Sequence, residues 1–135
     1  VTDPLSPERR SALMSRIQGG WRRNGLERAV HEWLVARRVN HRMNPRRTPG
    51  HPDVAIYGRD GSRLYLFIDG CFWHACPIHF RPPKNPRPSW NHDLVEEEMA
   101  RSRRRAQLPY RWLQLWEHDV KSGAFESVLA GALPP

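Results

Sequence analysis

The chain has 135 residues, two cysteines, and a formal net charge of +8 carried by 22 Lys and Arg, nearly all of them Arg. That length supports one domain with a real core and excludes two. The charge points to a polyanion, and guanidinium groups, which bind phosphate bidentately and stack on bases, suit nucleic acid. No apolar run approaches the roughly 20 residues that span a bilayer, and the N-terminus lacks the apolar stretch of a signal peptide, so the expectation is a cytosolic protein with no membrane partner.

In chain order, Ser6-Pro7-Glu8 reads as a helix start, with Ser as N-cap, Pro in the first turn and an acid facing the dipole; the short basic helix it opens runs to about Ile17. Gly19-Gly20 ends it, and Asn24 caps a second helix in which Leu26, Val30, Trp33 and Leu34 fall on one core face. Val39 to Met43 is a short extended piece, followed by a loop holding Pro45, Pro49, Gly50 and Pro52. Asp53 to Tyr57 and Arg63 to Ile68 read as strands joined by the Gly58-Arg-Asp-Gly61 turn, an antiparallel hairpin. Asp53 begins one strand and Asp69 ends the other, so the hairpin brings both carboxylates to one end of the sheet.

Arg81 to Ser89 holds four prolines and reads as a stiff loop. A helix is predicted from about Ser89 to Gln107, acidic at Glu96, Glu97 and Glu98 and basic at Arg101, Arg103, Arg104 and Arg105, which matches the helix dipole. The arginine run reads equally as a solvated helix end or as a phosphate contact. Pro109 stops this helix, Tyr110 to Trp116 alternates into a strand, Glu117-His118-Asp119 leaves it, and Ser122 to Leu133 is a terminal helix. The whole is a mixed α/β sheet flanked by helices, a single domain over 1–135 with a basic N-terminal helix within 1–20 and a ligand-rich, Pro-rich loop at 70–89.

The chemistry concentrates in residues 69–79, Asp-Gly-Cys-Phe-Trp-His-Ala-Cys-Pro-Ile-His. In a reducing compartment two cysteines five positions apart read as ligands before they read as a disulfide. Cys71, Cys76 and His79 supply three zinc donors on one loop, and His118, which directly follows a strand, is best placed to complete the set, with His74 the alternative fourth ligand. If His74 is not a ligand, it lies beside Asp69 and near Asp53, where an imidazole can move a proton and carboxylates can hold Mg²⁺, the layout of phosphodiester hydrolysis. Phe72-Trp73 is either a strand pair with one ring in the core or a wedge between base pairs.

These residues resemble the very short patch repair (Vsr) endonucleases, a family of the restriction-endonuclease-like fold that nicks DNA next to T:G mismatches. The resemblance is carried by Arg10-Ser-Ala-Leu-Met14-Ser-Arg-Ile, Glu27, Pro49-Gly-His-Pro-Asp53, Phe67-Ile-Asp-Gly-Cys-Phe-Trp-His74, Cys76-Pro-Ile-His79 and Trp116-Glu-His118. It implies a Mg²⁺-dependent endonuclease of the bacterial cytosol or nucleoid. The substrate would be double-stranded DNA containing a mismatch, the protein a monomer with mismatch-repair proteins as partners, and the cut would leave a 5′-phosphate.

By position the resemblance makes Asp53 the Mg²⁺ ligand with the Ile68 carbonyl, His74 the base, and Glu27 an accessory acid; the expectation for the site is that Glu27 and Asp69 tune it. It makes Cys71, Cys76, His79 and His118 the structural zinc ligands. Met14, Phe72 and Trp73 become the side chains inserted at the mismatch. The family's Asn and Arg-Asp pair on the helix before the last strand have no counterpart in Glu96-Glu-Glu-Met-Ala-Arg-Ser-Arg-Arg-Arg, where Glu98 or Ser102 takes the accessory position. Two other readings remain: a nuclease of the same fold for modified or foreign DNA, and a catalytically weak DNA-binding module held by zinc and arginines.

Overall fold

The computed structural model describes residues 25–71, 74–81 and 93–135. The first predicted helix, Met14, Phe72-Trp73 and most of the Pro-rich loop lie outside the described residues. The first described element, α1 (Gly25–Ala36), carries Val30 and Leu34 fully buried on the predicted face. Trp33 beside them is half-buried and meets Phe125 edge-on, with ring centroids 6.1 Å apart. The helix ends in a Schellman closure: Val39 N–H donates to Leu34 O at 3.0 Å and Arg38 N–H to Val35 O at 3.0 Å, with Arg38 at φ 57.

Four strands follow: β1 (His41–Met43), β2 (Val54–Tyr57), β3 (Arg63–Asp69) and, after helix α2 (Leu94–Arg105), β4 (Trp112–Trp116). They form one sheet in the order β1-β2-β3-β4, antiparallel at β1/β2 and β2/β3 and parallel at β3/β4. The mixed sheet and the β2–β3 hairpin are as predicted. A parallel neighbour needs a crossover, and the chain between β3 and β4, which includes α2, supplies it.

The alternation of β2 and β3 sorts the sheet into two faces. Val54, Ile56, Leu64, Leu66, Ile68 and Leu115 join Val30, Leu34, Val120, Phe125 and Leu129 in the main core. Tyr65, Phe67 and Asp69 alternate onto the opposite face, where Phe67 meets Trp112 edge-on and Arg105 of α2 lies 3.9 Å from the Phe67 ring centre.

Several boundaries differ from the sequence reading. Helix α2 starts at Leu94, because Asp93 caps it by accepting from Glu96 N–H at 3.0 Å, and it ends at Arg105. Glu117-His118-Asp119 does not leave the strand as a loop but opens a helix, α3 (Glu117–Ser122). Asp119 makes this possible by reaching back to accept from Trp116 N–H at 3.0 Å. Gly123, at φ 85, then closes α3 and separates it from α4 (Phe125–Ala132), where one continuous terminal helix was predicted.

Candidate active site and metal cluster

The parallel register sets the position of the metal cluster. Asp69 pairs with Trp116 across β3 and β4, so the residues two further along each chain, Cys71 and His118, come off neighbouring strand ends side by side. Cys76 folds back onto the same point through its N–H, which donates to Cys71 O at 2.8 Å, and Phe80 N–H donates to Cys76 O at 3.0 Å to bring His79 around. Ala75 takes a left-handed conformation, φ 50, to make this turn. Glu117 secures the loop by accepting from Cys71 N–H at 3.0 Å, and Lys121 holds Glu117 at 2.6 Å.

The donor atoms of Cys71, Cys76, His79 and His118 all lie within 4.8 Å of one another. His118 Nδ1 is 3.4 Å from Cys71 Sγ, 3.5 Å from Cys76 Sγ and 3.2 Å from His79 Nδ1, and His79 Nδ1 is 4.0 and 3.9 Å from the two sulfurs. Tetrahedral ligation with ordinary Zn–S and Zn–N lengths would give S···N separations of about 3.6 Å and N···N of about 3.3 Å. The four donors therefore fit a single tetrahedral ion. Without one, burial pushes the Cys71 thiol up from its ordinary value, and the neighbouring Cys76 adds to this while His118 opposes it. His74 is not part of the cluster, which leaves His118 as the fourth donor.

The carboxylates gather at the same end of the sheet. Asp53 Oδ2 accepts from Ile68 N–H at 2.7 Å, across the hairpin. Glu27, from α1, is hydrogen-bonded to Asp53; burial together with the Asp53 charge pushes Glu27 up to about 7. Asp53 rises to about 6 because it is buried; the Ile68 N–H opposes this rise and the charge of Asp69 adds to it. The two acids thus compete to be charged, a condition a divalent cation relieves.

Asp69 has a different environment. It is almost fully buried, and its Oδ2 accepts from Arg105 Nη1 at 2.6 Å and from Gln114 Nε2 at 2.7 Å, while Oδ1 faces Arg105 Nη2 at 3.2 Å. Burial alone would raise its carboxyl, but the Arg105 guanidinium, the neighbouring His74 and the Gln114 amide hold it below the ordinary carboxylate range. His74 lies between two acids, with Nε2 3.7 Å from Asp69 Oδ1 and Nδ1 3.5 Å from Glu98 Oε2. Both separations are within ion-pair range, yet neither is a hydrogen bond, and His74 Nδ1 is buried with no hydrogen-bond partner. Burial lowers the imidazole below its ordinary value, with Arg101 and Arg105 opposing the acids that would raise it. Burial thus disfavours the charged imidazole and leaves the neutral ring, which can accept a proton, the favoured form.

The structure thus brings Glu27 to Asp53, Asp53 to the Ile68 backbone, and Asp69 to His74. Of the two candidates for the accessory position, Glu98 faces His74 and Ser102 is exposed. Sequence reasoning missed Gln114 and the inward role of Arg101 and Arg105. Arg101 pairs with Glu98, and Gln114 Nε2 also lies 3.4 Å from Glu98 Oε1. The spacing of Glu98, Arg101 and Arg105 is the signal for these, since i, i+3 and i+7 share one helix face. The arginine run is accordingly two populations, with Arg103 and Arg104 exposed on the other side.

A basic α/β chain that brings a half-buried acid pair, an imidazole between two further acids and a Cys₂His₂ cluster to one end of its sheet has the makings of a metal-using acid–base catalyst. It belongs to the family described as DNA mismatch endonuclease Vsr, whose profile matches residues 2–78. That family implies a restriction-endonuclease-like fold, in keeping with the mixed sheet and flanking helices. The chain is similar to the type II nicking enzyme V.XorIIP of Xanthomonas oryzae pv. oryzae, 33% identical across 100% of this chain and 99% of the relative. It is also 33% identical to the type II nicking enzyme V.NaeI of Lentzea aerocolonigenes, over 58% of this chain and 47% of that one. The DNA mismatch endonuclease Vsr of Escherichia coli is 27% identical over 71% of this chain and 62% of its own length. Among the described residues, no helix is long and apolar enough to cross a membrane.

Proposed function

We propose that the protein nicks one strand of double-stranded DNA at or beside a T:G mismatch, by Mg²⁺-dependent attack of water on phosphorus. The observation that carries this is the pairing of a half-buried acid couple, Asp53–Glu27, both raised well above their ordinary values, with a His74 whose Nδ1 makes no hydrogen bond. Asp53 and the Ile68 carbonyl would hold Mg²⁺, which when bound supplies Lewis-acid stabilisation of the charge developing on the phosphate. His74 removes the proton from the attacking water, and Glu27 and Glu98 are the flanking acids that fix the water and the imidazole. Cys71, Cys76, His79 and His118 would hold zinc, which stiffens the loop and does no chemistry. Phe72-Trp73, which fall in the same stretch of sequence, would with Met14 open the duplex at the mismatch, the protein acting as a monomer in the bacterial cytosol.

A nicking assay on duplexes differing only in one T:G pair tests this. With Mg²⁺, the parent should nick the mismatched duplex and leave a 5′-phosphate, while Asp53→Ala and His74→Ala bind it normally and lose cleavage by about 10²-fold or more. Normal binding without cleavage by the parent would refute the proposal in favour of a DNA-binding module.

The relatives support a second reading, since the V.XorIIP and V.NaeI names specify type II nicking and not a mismatch. On that reading the same site nicks modified or foreign DNA. Equal cleavage of matched and T:G duplexes, with preference for a modified one, would favour it.

A further inference from the structure

Asp69 is the buried acid that the proposed reaction leaves without a direct role. It ends β3 beside the proposed metal ligands, yet both of its oxygens are already engaged. Arg105 spans them in a two-toothed contact at 2.6 and 3.2 Å, and Gln114 takes a second position on Oδ2 at 2.7 Å. An oxygen accepting two charge-assisted or amide hydrogen bonds has little lone-pair capacity left for a cation. The remaining open direction is from Oδ1 toward His74 Nε2, 3.7 Å away.

The donors themselves are rigidly held. Arg105 is buried, its guanidinium stacked 3.9 Å from the Phe67 ring centre, and Phe67 is in turn braced edge-on by Trp112 at 5.7 Å. Stacking fixes the plane of the guanidinium, and the plane fixes the pair of oxygens it can grip. Gln114 stands on β4 opposite Phe67 in the parallel register, so the sheet itself sets the reach of its amide. A solvated arginine at a helix end would need none of this.

We infer that Arg105 and Gln114 are positioning residues for His74: they clamp the Asp69 carboxylate so that Oδ1, the less heavily engaged oxygen, faces and orients the imidazole, and they keep Asp69 from acting as a metal ligand. The inference rests on His74 being the base and adds the groups that aim it. Both would act through Asp69 and His74 and not on DNA or metal directly. Partners at this remove from a reacting group typically cost about 10- to 100-fold in activity when lost.

The test uses Arg105→Lys, which keeps a charge but loses the planar fork, and Gln114→Leu. Because a buried unpaired Asp69 could unfold the protein, Arg105→Leu combined with Asp69→Asn provides a neutral control. Nicking of a T:G duplex is measured with kcat and KM separated, alongside zinc content, melting temperature and the ¹⁵N shifts of the His74 ring. The clamp predicts that kcat falls about tenfold or more in Arg105→Lys and several-fold in Gln114→Leu. KM and zinc content stay at the parent values, and the His74 ring resonances move. Unchanged His74 resonances in both variants overturn the inference, as does a kcat within about twofold of the parent. A loss of activity that tracks the loss of melting temperature would also overturn it, assigning the pair a structural role only. Parent-like cleavage by His74→Ala would overturn both the inference and the reading beneath it, whereas a dead His74→Ala beside an unimpaired Arg105→Lys overturns the clamp alone.

Discussion

Two carboxylates crowded into one half-buried site must be discharged by a proton or by a cation. Glu27 and Asp53 stand at about 7 and about 6, against ordinary values of 4.5 and 3.8. Since both are raised by folding, the stability they contribute is fully present below about pH 4 and is lost as the pH climbs through 6 to 7. For zinc-loaded protein without Mg²⁺, we predict that thermal stability falls from pH 5.5 to 7.5 by an amount on the order of 2 kcal/mol, discounted for the partial exposure of Glu27. Asp53→Asn should flatten the profile, and added Mg²⁺ should raise the melting temperature more at pH 7.5 than at pH 5.5. A parent profile parallel to that of Asp53→Asn would dissociate the acid pair from the titration. At this scale the sequence was readable where a residue's role is local: Asp53, Asp69 and the ligands of the 71–79 loop stand out by type and spacing. Gln114 did not, because a neutral amide in a strand acquires meaning only from the side chains its neighbours bring to it.

At the scale of elements, the Cys₂His₂ cluster, which could hold a metal, joins the end of β3 to the start of α3 through four donors from two separate segments. Structural metal binding is part of the folding free energy, so His118→Ala should lose the metal and lower the melting temperature, while His74→Ala keeps both; metal quantitation on the two purified variants decides this. Metal lost from His74→Ala and retained by His118→Ala would reverse the ligand assignment. A smaller effect concerns the end of α1. Arg38 occupies the left-handed closing position, φ 57, which costs an L-residue about 1 kcal/mol and a glycine almost nothing. Arg38→Gly should therefore stabilise the protein by roughly 0.5–1 kcal/mol in denaturant melts. The sheet, its hairpin and α1 were legible because alternation and helical periodicity are strong over these stretches. Helix α3 was not, since its six residues contain no apolar stripe and its start depends on Asp119 turning back to Trp116 N–H.

For the molecule as a whole, charge and site divide the work of binding. The excess of +8 is carried by arginines, and those on exposed surfaces, Arg42, Arg46 and Arg47 ahead of Asp53 and Arg103 and Arg104 on the outer side of α2, flank the site residues in the chain. Arg101 and Arg105 are turned inward onto Glu98 and Asp69 and so are unavailable to phosphate. If exposed arginines neutralise about six phosphates, the affinity for any duplex should fall by about 10³-fold between 50 and 200 mM salt, with a log–log slope near −5. Replacing Arg46 and Arg47 together by Ala should reduce that slope by about 2 and weaken matched and mismatched duplexes alike. Trp73→Ala should do the opposite, leaving the slope in place while removing preference for the mismatch. Salt titrations of the two variants on paired duplexes measure both quantities at once. If the arginine pair changed discrimination and Trp73 changed only the slope, recognition would lie in the basic loop ahead of β2 and not in the metal loop beyond β3.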